Sequence, residues 1–212
     1  MASDGQIRID DLLRGEYGLS PADAALARAA LEQARLTNPR KQAISLEKLE
    51  RVQDVLAERL QLLCAACATA AASDHRPLLA VRPEHCERCA GSHNRRAVRE
   101  LVAACAATGV RRLVFVGGSP SFRQELGRLV DGRLELRLVD GTRRATKAGA
   151  QQDIAWADVV VVCGATELSH KVSNLYTDEP AARRKLVQTR RRGIEAIADE
   201  VARSDAVARH GG

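Results

Sequence analysis

Cysteines are the residues of this chain whose type and spacing most clearly indicate chemistry. The sequence has 212 residues and six cysteines. Cys64 and Cys67 form one C-x2-C pair, and Cys86 and Cys89 form a second pair after eighteen intervening residues. Because thiolates at this spacing are typical of tetrahedral zinc sites, the four cysteines are candidate metal ligands.

The second pair is the stronger half of this predicted zinc site, since it lies in a segment without a regular pattern. His93 follows it in a C-x2-C-x3-H arrangement that can supply three ligands by itself. Cys64 and Cys67 instead lie in an apolar stretch that also fits the buried face of a helix, so a core role and a ligand role both stay open for them. We therefore predict zinc on Cys86, Cys89 and His93, with Cys64 and Cys67 as further ligands.

Four segments in the C-terminal half predict the strands of a sheet that positions a second set of candidate residues. They are residues 113–118, 134–141 and 159–164, and the more polar segment 185–190. Helical patterns separate the runs, and this alternation predicts a parallel sheet with right-handed crossovers. Four consecutive valines in the third run predict burial on both faces. The expected fold class is α/β, with a Rossmann-like or flavodoxin-like open sheet of order 2-1-3-4, counted along the chain.

In such a sheet, a ligand binds at the carboxyl edge, where neighbouring crossovers leave in opposite directions. Glycines there let the backbone approach the ligand, and helix N-termini favour phosphate or carboxylate groups. The predicted ligand-binding residues are Gly117, Gly118, Ser119, Asp140, Gly164, Thr166, Ser169, His170, Lys171, Arg190 and Arg191. The alternative is that the glycines only shape turns, while His170 caps a helix or faces solvent.

Three residues at this edge are candidates for catalysis: His170, Asp140 and Cys163. A cysteine and a histidine act as nucleophile and base only at hydrogen-bond separation. Cys163, at the end of a buried strand, equally fits a small core side chain. Asp140 ends the second strand, where an acidic residue can accept hydrogen bonds from ribose hydroxyls.

The same stretch resembles a family of small bacterial Rossmann-like domains, known as domain of unknown function 2325. The resemblance rests on Gly117-Gly118, Asp140-Gly141, Ala157-Asp158 and Ser169-His170, and it covers about half of the chain. It implies a fold and a pocket but no particular reaction. The N-terminal helices and the Cys86–Cys89 segment lie outside it, and Cys163-Gly164 is not expected from the family.

Positive charge is concentrated in the second part of the chain. Residues 1–75 carry a net charge of −2, whereas residues 76–212 carry +8, mostly as arginine. Arg143-Arg144 and Arg190–Arg192 follow strands and are expected on the rim of the pocket, whereas Arg111-Arg112 precede the first strand and face the opposite end. These clusters favour an anionic small molecule, a nucleotide or a nucleic-acid phosphate as ligand. A solvated surface is the alternative for each cluster.

The N-terminal part is expected to be helical. A helix after Ser20-Pro21 and a long amphipathic helix over residues 45–71 predict an antiparallel hairpin, whose apolar stripe favours a homo-oligomer or a protein partner through residues 20–71. The predicted domains are 1–75, a Cys/His-containing linker and helix at 76–109, and the α/β domain at 110–212. Without an apolar run of about 18–20 residues or a secretory signal, we expect a cytoplasmic protein that does not contact membranes.

Three classes of function follow from these features. The preferred one is a binding or regulatory module that holds a nucleotide or another phosphate ligand, with zinc as a structural cofactor. The second is a hydrolase or transferase acting on a nucleotide or nucleoside through His170 and Asp140. The third is an interaction adaptor that uses the N-terminal helices.

Overall fold

A computed structural model describes residues 5–69, 75–143, 145–165 and 168–210. The chain divides into two compact units, residues 1–92 and 93–212. The segment that contains Cys86 and Cys89 thus belongs to the first unit, and the helix after it belongs to the second. This division differs from the predicted boundaries at residues 75 and 109. Among the described residues, no helix has both the length and the apolar character that a membrane span requires.

The first unit combines short strands with helices. A π-helical turn, Asp11–Glu16, precedes α1. The regular elements are β1 (Gln6–Arg8), α1 (Pro21–Gln33), β2 (Ala43–Ser45), α2 (Leu49–Arg59), β3 (Gln61–Leu63), α3 (Ala65–Ala68) and β4 (Leu78–Ala80). Strands β1 and β2 pair antiparallel, and β3 and β4 pair parallel. As predicted, α1 begins after Ser20, whose hydroxyl accepts a hydrogen bond from the Asp23 backbone N–H.

The predicted helix over residues 45–71 is wrong. A short 3-10 turn, Leu46–Lys48, opens the segment, and α2 ends at Arg59 because Leu60 adopts an extended backbone (φ −131°, ψ 145°). Residues 61–63 then pair with 78–80 as a strand. An apolar run this short fits a strand and a helix face equally well, and the distant pairing decides between them.

The second unit is a parallel sheet with helices on both faces. Its elements are α4 (His93–Thr108), β5 (Arg112–Val116), α5 (Pro120–Val130), β6 (Glu135–Val139), α6 (Lys147–Trp156), β7 (Val159–Cys163), α7 (His170–Thr177), β8 (Leu186–Thr189), α8 (Ile194–Ala202) and α9 (Asp205–Ala208). The strand order is β6-β5-β7-β8, and all three pairings are parallel. This confirms the predicted α/β class with a four-stranded parallel sheet.

Both faces of the sheet are covered by apolar side chains. Phe115 and Val161 belong to a cluster with α4, α5 and α8, while Val114 and Val160 belong to a cluster with α6 and α7. Every residue of β7 is buried, as the run of valines predicted. The carboxyl ends of β5, β6 and β7 therefore meet at one edge, where the loops after them can form a site.

Candidate metal centre and sheet-edge cleft

Four cysteine thiols of the first unit form a compact group. The Sγ atoms of Cys64, Cys67, Cys86 and Cys89 all lie within 4.8 Å of one another, and all four side chains are buried. They are part of the apolar core of the unit, among leucines of α2, β3 and β4. The group can bind a metal ion, and the ligand role that the sequence left open for Cys64 and Cys67 is thus supported by their position.

The first pair is positioned by the end of a strand and the start of a helix. Cys64 follows β3 and is the residue that precedes α3, and its carbonyl accepts hydrogen bonds from the N–H groups of Cys67 and Ala68, at 3.0 Å each. The turn of α3 therefore brings the two side chains of this C-x2-C pair to the same side of the chain.

The second pair is positioned by a tight loop. Cys86 ends the 3-10 turn Pro83–His85, and Ala90 and Gly91 both have positive φ values of 45° and 76°. This left-handed backbone turns the chain back over the pair, and the Ala90 N–H donates to the Cys86 carbonyl at 2.8 Å. A positive φ is uncommon for a residue other than glycine. Contacts of the rest of the loop must therefore stabilise this conformation at Ala90.

Backbone hydrogen bonds stabilise a thiolate at Cys86. Burial opposes its ionisation, but hydrogen bonds from the backbone of Cys64, Cys89 and Arg88 outweigh burial and lower the pKa of Cys86 to about 7. Burial raises the pKa of the Cys67 and Cys89 thiols, although the backbone of Gly91 hydrogen-bonds to Cys89 and acts in the opposite direction. Hydrogen bonds of this kind are the outer contacts that orient metal-bound ligands and delocalise their charge.

The spacing of the thiols fits a single tetrahedral ion. Zinc–sulfur bonds of about 2.3 Å place neighbouring sulfurs of a regular tetrahedron about 3.8 Å apart. The Sγ atoms of Cys64 and Cys89 lie 3.8 Å apart. An iron–sulfur cluster fits less well, because its four thiolates are divided among two or more iron ions, and thiolates on different irons must lie further apart.

Neighbouring side chains of the first unit pack around this group. The Tyr17 ring, which is buried, stacks on His85 with ring centroids 4.1 Å apart. The Arg88 guanidinium donates to the Cys67 carbonyl at 3.4 Å, which brings a positive charge close to the thiol group.

His93 is not a member of the thiol group, in contrast to its prediction as a metal ligand. It is the first residue of α4 in the second unit, its side chain is 68% exposed, and its Nδ1 atom lies 3.3 Å from the Glu195 carboxylate. The C-x2-C-x3-H spacing is compatible with three ligands, but the chain enters a helix at His93, and two cysteines from an earlier segment lie beside Cys86 and Cys89 instead.

The second unit contains a cleft of about 770 Å³ at the carboxyl edge of its sheet. Its wall includes Gly118 and Ser119 after β5, Asp140 after β6 and Ala165 after β7. These are the loops from which the sequence predicted a pocket. The remaining lining residues are Asn94, Pro120, Ser121, Phe122, Arg123, Glu125, Thr142, Arg192, Gly193, Ile194 and Ile197.

The backbone conformation of the turn after β5 requires the glycine pair Gly117-Gly118. Gly117 and Gly118 have φ values of 94° and 82°. A Cβ atom on Gly118 would lie 2.5 Å from the Cδ1 atom of Phe122. The turn function of these glycines is therefore observed, and Ser119 caps α5 by accepting a hydrogen bond from the Phe122 N–H at 3.2 Å.

Asp140 is held by protein groups. Its Oδ1 atom accepts hydrogen bonds from the backbone N–H and the hydroxyl of Thr142, at 2.9 and 2.7 Å, and its Oδ2 atom accepts one from Arg123 at 3.1 Å. The Thr142 hydrogen bonds, together with nearby arginines, hold the pKa of Asp140 below its ordinary value. Such a carboxylate fixes the position of Arg123 more readily than it takes up a proton.

Other predicted residues of this edge lie outside the lining of the cleft. Gly117, Gly164, Ser169, His170, Lys171, Arg190 and Arg191 are not among the lining residues, and Thr166 and Arg144 lie outside the described residues. His170 begins α7 with an exposed side chain, and the Gly164 N–H donates to the Thr189 carbonyl. Arg123 and Asn94 were missed by sequence reasoning, although Arg123 lies one helical turn after Ser119 and could have been found from that spacing.

Cys163 is a core side chain. It is fully buried at the end of β7, and burial raises the pKa of its thiol to about 12. A thiol that ionises only at such a pH is a poor nucleophile near neutrality. The geometry therefore argues against the catalytic role that was considered for this residue.

Comparison of the sequence with protein-family models, with curated proteins and with solved structures finds no match.

Proposed function

We propose that this protein is a binding module in which a structural zinc ion stabilises the first unit and a phosphate-bearing ligand binds to the second. The proposal is carried by the four buried thiols, all within 4.8 Å of one another. Four thiolates complete the coordination of zinc and leave no open position for water, which is the property of structural rather than catalytic zinc sites.

The core of the first unit gives the zinc ion a clear role. The four cysteines occupy core positions between β3, α3 and the loop after β4. Without a metal ion, only small side chains with polarisable sulfurs would fill this part of the core. Since metal binding is coupled to folding in small metal-binding domains, we expect the ion to account for a large part of the stability of this unit.

Metal content, measured on protein purified without chelators, tests this part of the proposal. We expect about one zinc ion per chain in the wild type and a loss of bound zinc in Cys86→Ser. Cys105→Ser is the matched control, because Cys105 is also buried but lies in α4 of the second unit, outside the thiol group. Wild-type protein that is folded and metal-free, or equal zinc loss in both variants, would contradict the proposal.

We further propose that the second unit is a Rossmann-like module and that its cleft takes a nucleotide or a similar phosphate ligand. The loops after β5 and β7, whose crossovers diverge, both contribute to the cleft, and open α/β sheets bind ligands at such a point. Gly118 allows close approach to the backbone, the Ser119 and Ser121 hydroxyls lie 2.9 Å apart, and Arg192 supplies a cation. The resemblance to domain of unknown function 2325 agrees with this proposal and remains a prediction.

A binding role is favoured over the enzyme alternative by the state of the candidate groups. That alternative relies on His170 and Asp140. The Asp140 carboxylate is engaged by Thr142 and Arg123, and His170 does not line the cleft. Cys163, the third candidate, is buried in the core.

Thermal unfolding in the presence of ribonucleoside mono- and diphosphates tests the cleft. A ligand that binds only the folded state stabilises it by about 2.7 kcal/mol at a concentration one hundred times its Kd, so the melting temperature rises with ligand concentration. We expect Arg192→Ala to abolish this rise and Arg190→Ala, whose side chain does not line the cleft, to retain it. If every nucleotide left the melting temperature of the wild type unchanged, the nucleotide proposal would fail while the zinc proposal stood.

A further inference from the structure

A second concave surface of the α/β unit lies at the opposite, amino edge of the sheet. This basic groove has a volume of about 990 Å³ and is formed where β5, β7 and β8 begin and where α9 ends. Its lining residues are Arg112, Ala155, Ala157, Asp158, Ala181, Arg183, Arg184, Lys185, Leu186, Asp205, Ala206, Arg209 and His210. Among the described residues, it shares none with the cleft described above.

Positive charge dominates the groove. Five of its lining residues are lysine or arginine, and His210 adds a titratable group, against two aspartates. Asp158 is already engaged, because it accepts hydrogen bonds from the Arg111 and Arg112 N–H groups and pairs with the Arg112 side chain. Asp205 pairs with Arg209 at 2.7 Å.

Two arginines of the groove are directed to solvent. Arg183 and Arg184 follow the 3-10 turn Pro180–Ala182 and are exposed, and neither forms an ion pair within the described part of the chain. Lys185, by contrast, donates hydrogen bonds to the carbonyls of Ile154 and Ala157, at the end of α6. Lys185 thus fixes the segment in place, while the two preceding guanidinium groups remain available to a ligand.

We propose that this groove binds the phosphate backbone of a nucleic acid. The guanidinium groups of Arg183 and Arg184 can each match two phosphate oxygens at once, and the other basic residues of the groove add positive charge around them, which favours a polyanion. A lipid surface fits less well, since membrane-binding faces add exposed apolar side chains to basic ones. The large hydrophobic side chains that are exposed in the described residues, Leu26, Leu46 and Leu78, all lie in the first unit.

The groove contacts phosphates rather than bases. The only tryptophan of the chain, Trp156, lies beside it, but the Arg137 guanidinium covers the ring at 4.1 Å and Arg112 lies 6.0 Å from the ring centroid. Because contacts to phosphates carry little sequence information, binding is expected to depend on salt much more than on base sequence.

Fluorescence anisotropy with a labelled 20-base-pair duplex of mixed sequence tests the proposal. Each lost phosphate contact reduces the slope of log affinity against log salt by about 0.9, so Arg183→Glu/Arg184→Glu is expected to lower the slope by about 2 and weaken binding by at least about tenfold. Arg40→Glu/Lys41→Glu is the matched control: it reverses two exposed, adjacent charges in the first unit and changes net charge equally. Binding by the control is expected to stay within about twofold to threefold of the wild type.

The remaining outcomes are equally informative. If both double variants bound the duplex equally more weakly, the effect would be one of net charge and the assignment of the groove would be overturned. The assignment would also be overturned if neither double variant bound more weakly than the wild type. Sedimentation of the protein with phosphatidylserine vesicles without binding to the duplex would point to a lipid partner instead. Circular dichroism of each variant, together with the neutral pair Arg183→Ala/Arg184→Ala, separates lost binding from lost folding.

Discussion

Replacement of Asp158 gives a direct test of how the amino edge of the sheet is held. Its Oδ2 atom accepts hydrogen bonds from the backbone N–H groups of Arg111 and Arg112, both at 2.9 Å, and its side chain is only 12% exposed. Hydrogen bonds to a charged group contribute about 1.5–3 kcal/mol each. We therefore expect Asp158→Ala to reduce the free energy of unfolding by about 3–5 kcal/mol, and Asp158→Asn, which keeps an acceptor oxygen, by about 1–2 kcal/mol.

The effect should depend on pH with a defined sign. Burial opposes ionisation of Asp158, but the N–H groups of Arg111 and Arg112 outweigh burial and hold its pKa below the ordinary value of 3.8. A carboxylate whose pKa is lowered by folding contributes its full stabilisation at pH values above its ordinary pKa. This stabilisation is lost as the pH falls through the pKa of the folded state. The difference between wild type and Asp158→Asn is therefore expected to shrink as the pH falls below about 4, where the Asp158 carboxylate takes up a proton.

Urea unfolding followed by tryptophan fluorescence measures this difference. Trp156 is the single tryptophan and lies two residues before Asp158, so its emission reports on the second unit. Asp205→Asn is the control, because its pair with Arg209 is highly exposed and is expected to contribute less than about 1 kcal/mol. An effect of Asp158→Ala as small as that of the control would refute this reasoning. So would a difference between wild type and Asp158→Asn that grows as the pH falls below about 4.

Further predictions concern the glycine turn and the buried thiols. Gly118→Ala is expected to destabilise the second unit by about 2–3 kcal/mol, and Gly132→Ala by about 1 kcal/mol. Both glycines have positive φ, but only a Cβ atom on residue 118 would lie against Phe122. Equal losses of unfolding free energy in urea would contradict the contact with Phe122. Burial raises the thiol pKa of Cys105 to about 11 and that of Cys163 to about 12. Both thiols are therefore expected to react with a disulfide reagent at about pH 8 only after unfolding. Rapid reaction in the native protein would contradict their burial.

The α/β unit was largely predictable because its signals are local. The valine run of β7, the Ser119-Pro120 start of α5 and the Gly109 stop after α4 each determine an element within a few residues. Gly109 has a φ of 77°, which a glycine adopts at little cost after a helix. The positions of the strands and helices in this unit therefore followed from patterns that neighbouring residues complete.

The first unit was predicted less well because distant contacts determine it. Residues 61–63 continue the helical spacing of α2, yet they form a strand through pairing with residues 78–80. The same pairing brings the cysteines of both C-x2-C motifs together, which no local pattern can show. The sequence could therefore identify the candidate ligand types and the spacing of each pair, but it could not show that Cys64 and Cys67 lie beside Cys86 and Cys89 while His93 does not.

X-ray absorption at the zinc edge of the purified protein tests the central claim most directly. If the four buried thiols hold one structural ion, the first coordination shell will contain four sulfur atoms at about 2.3 Å and no nitrogen or oxygen. A shell with a histidine nitrogen or a water oxygen, or protein that folds with no bound metal, would contradict the account.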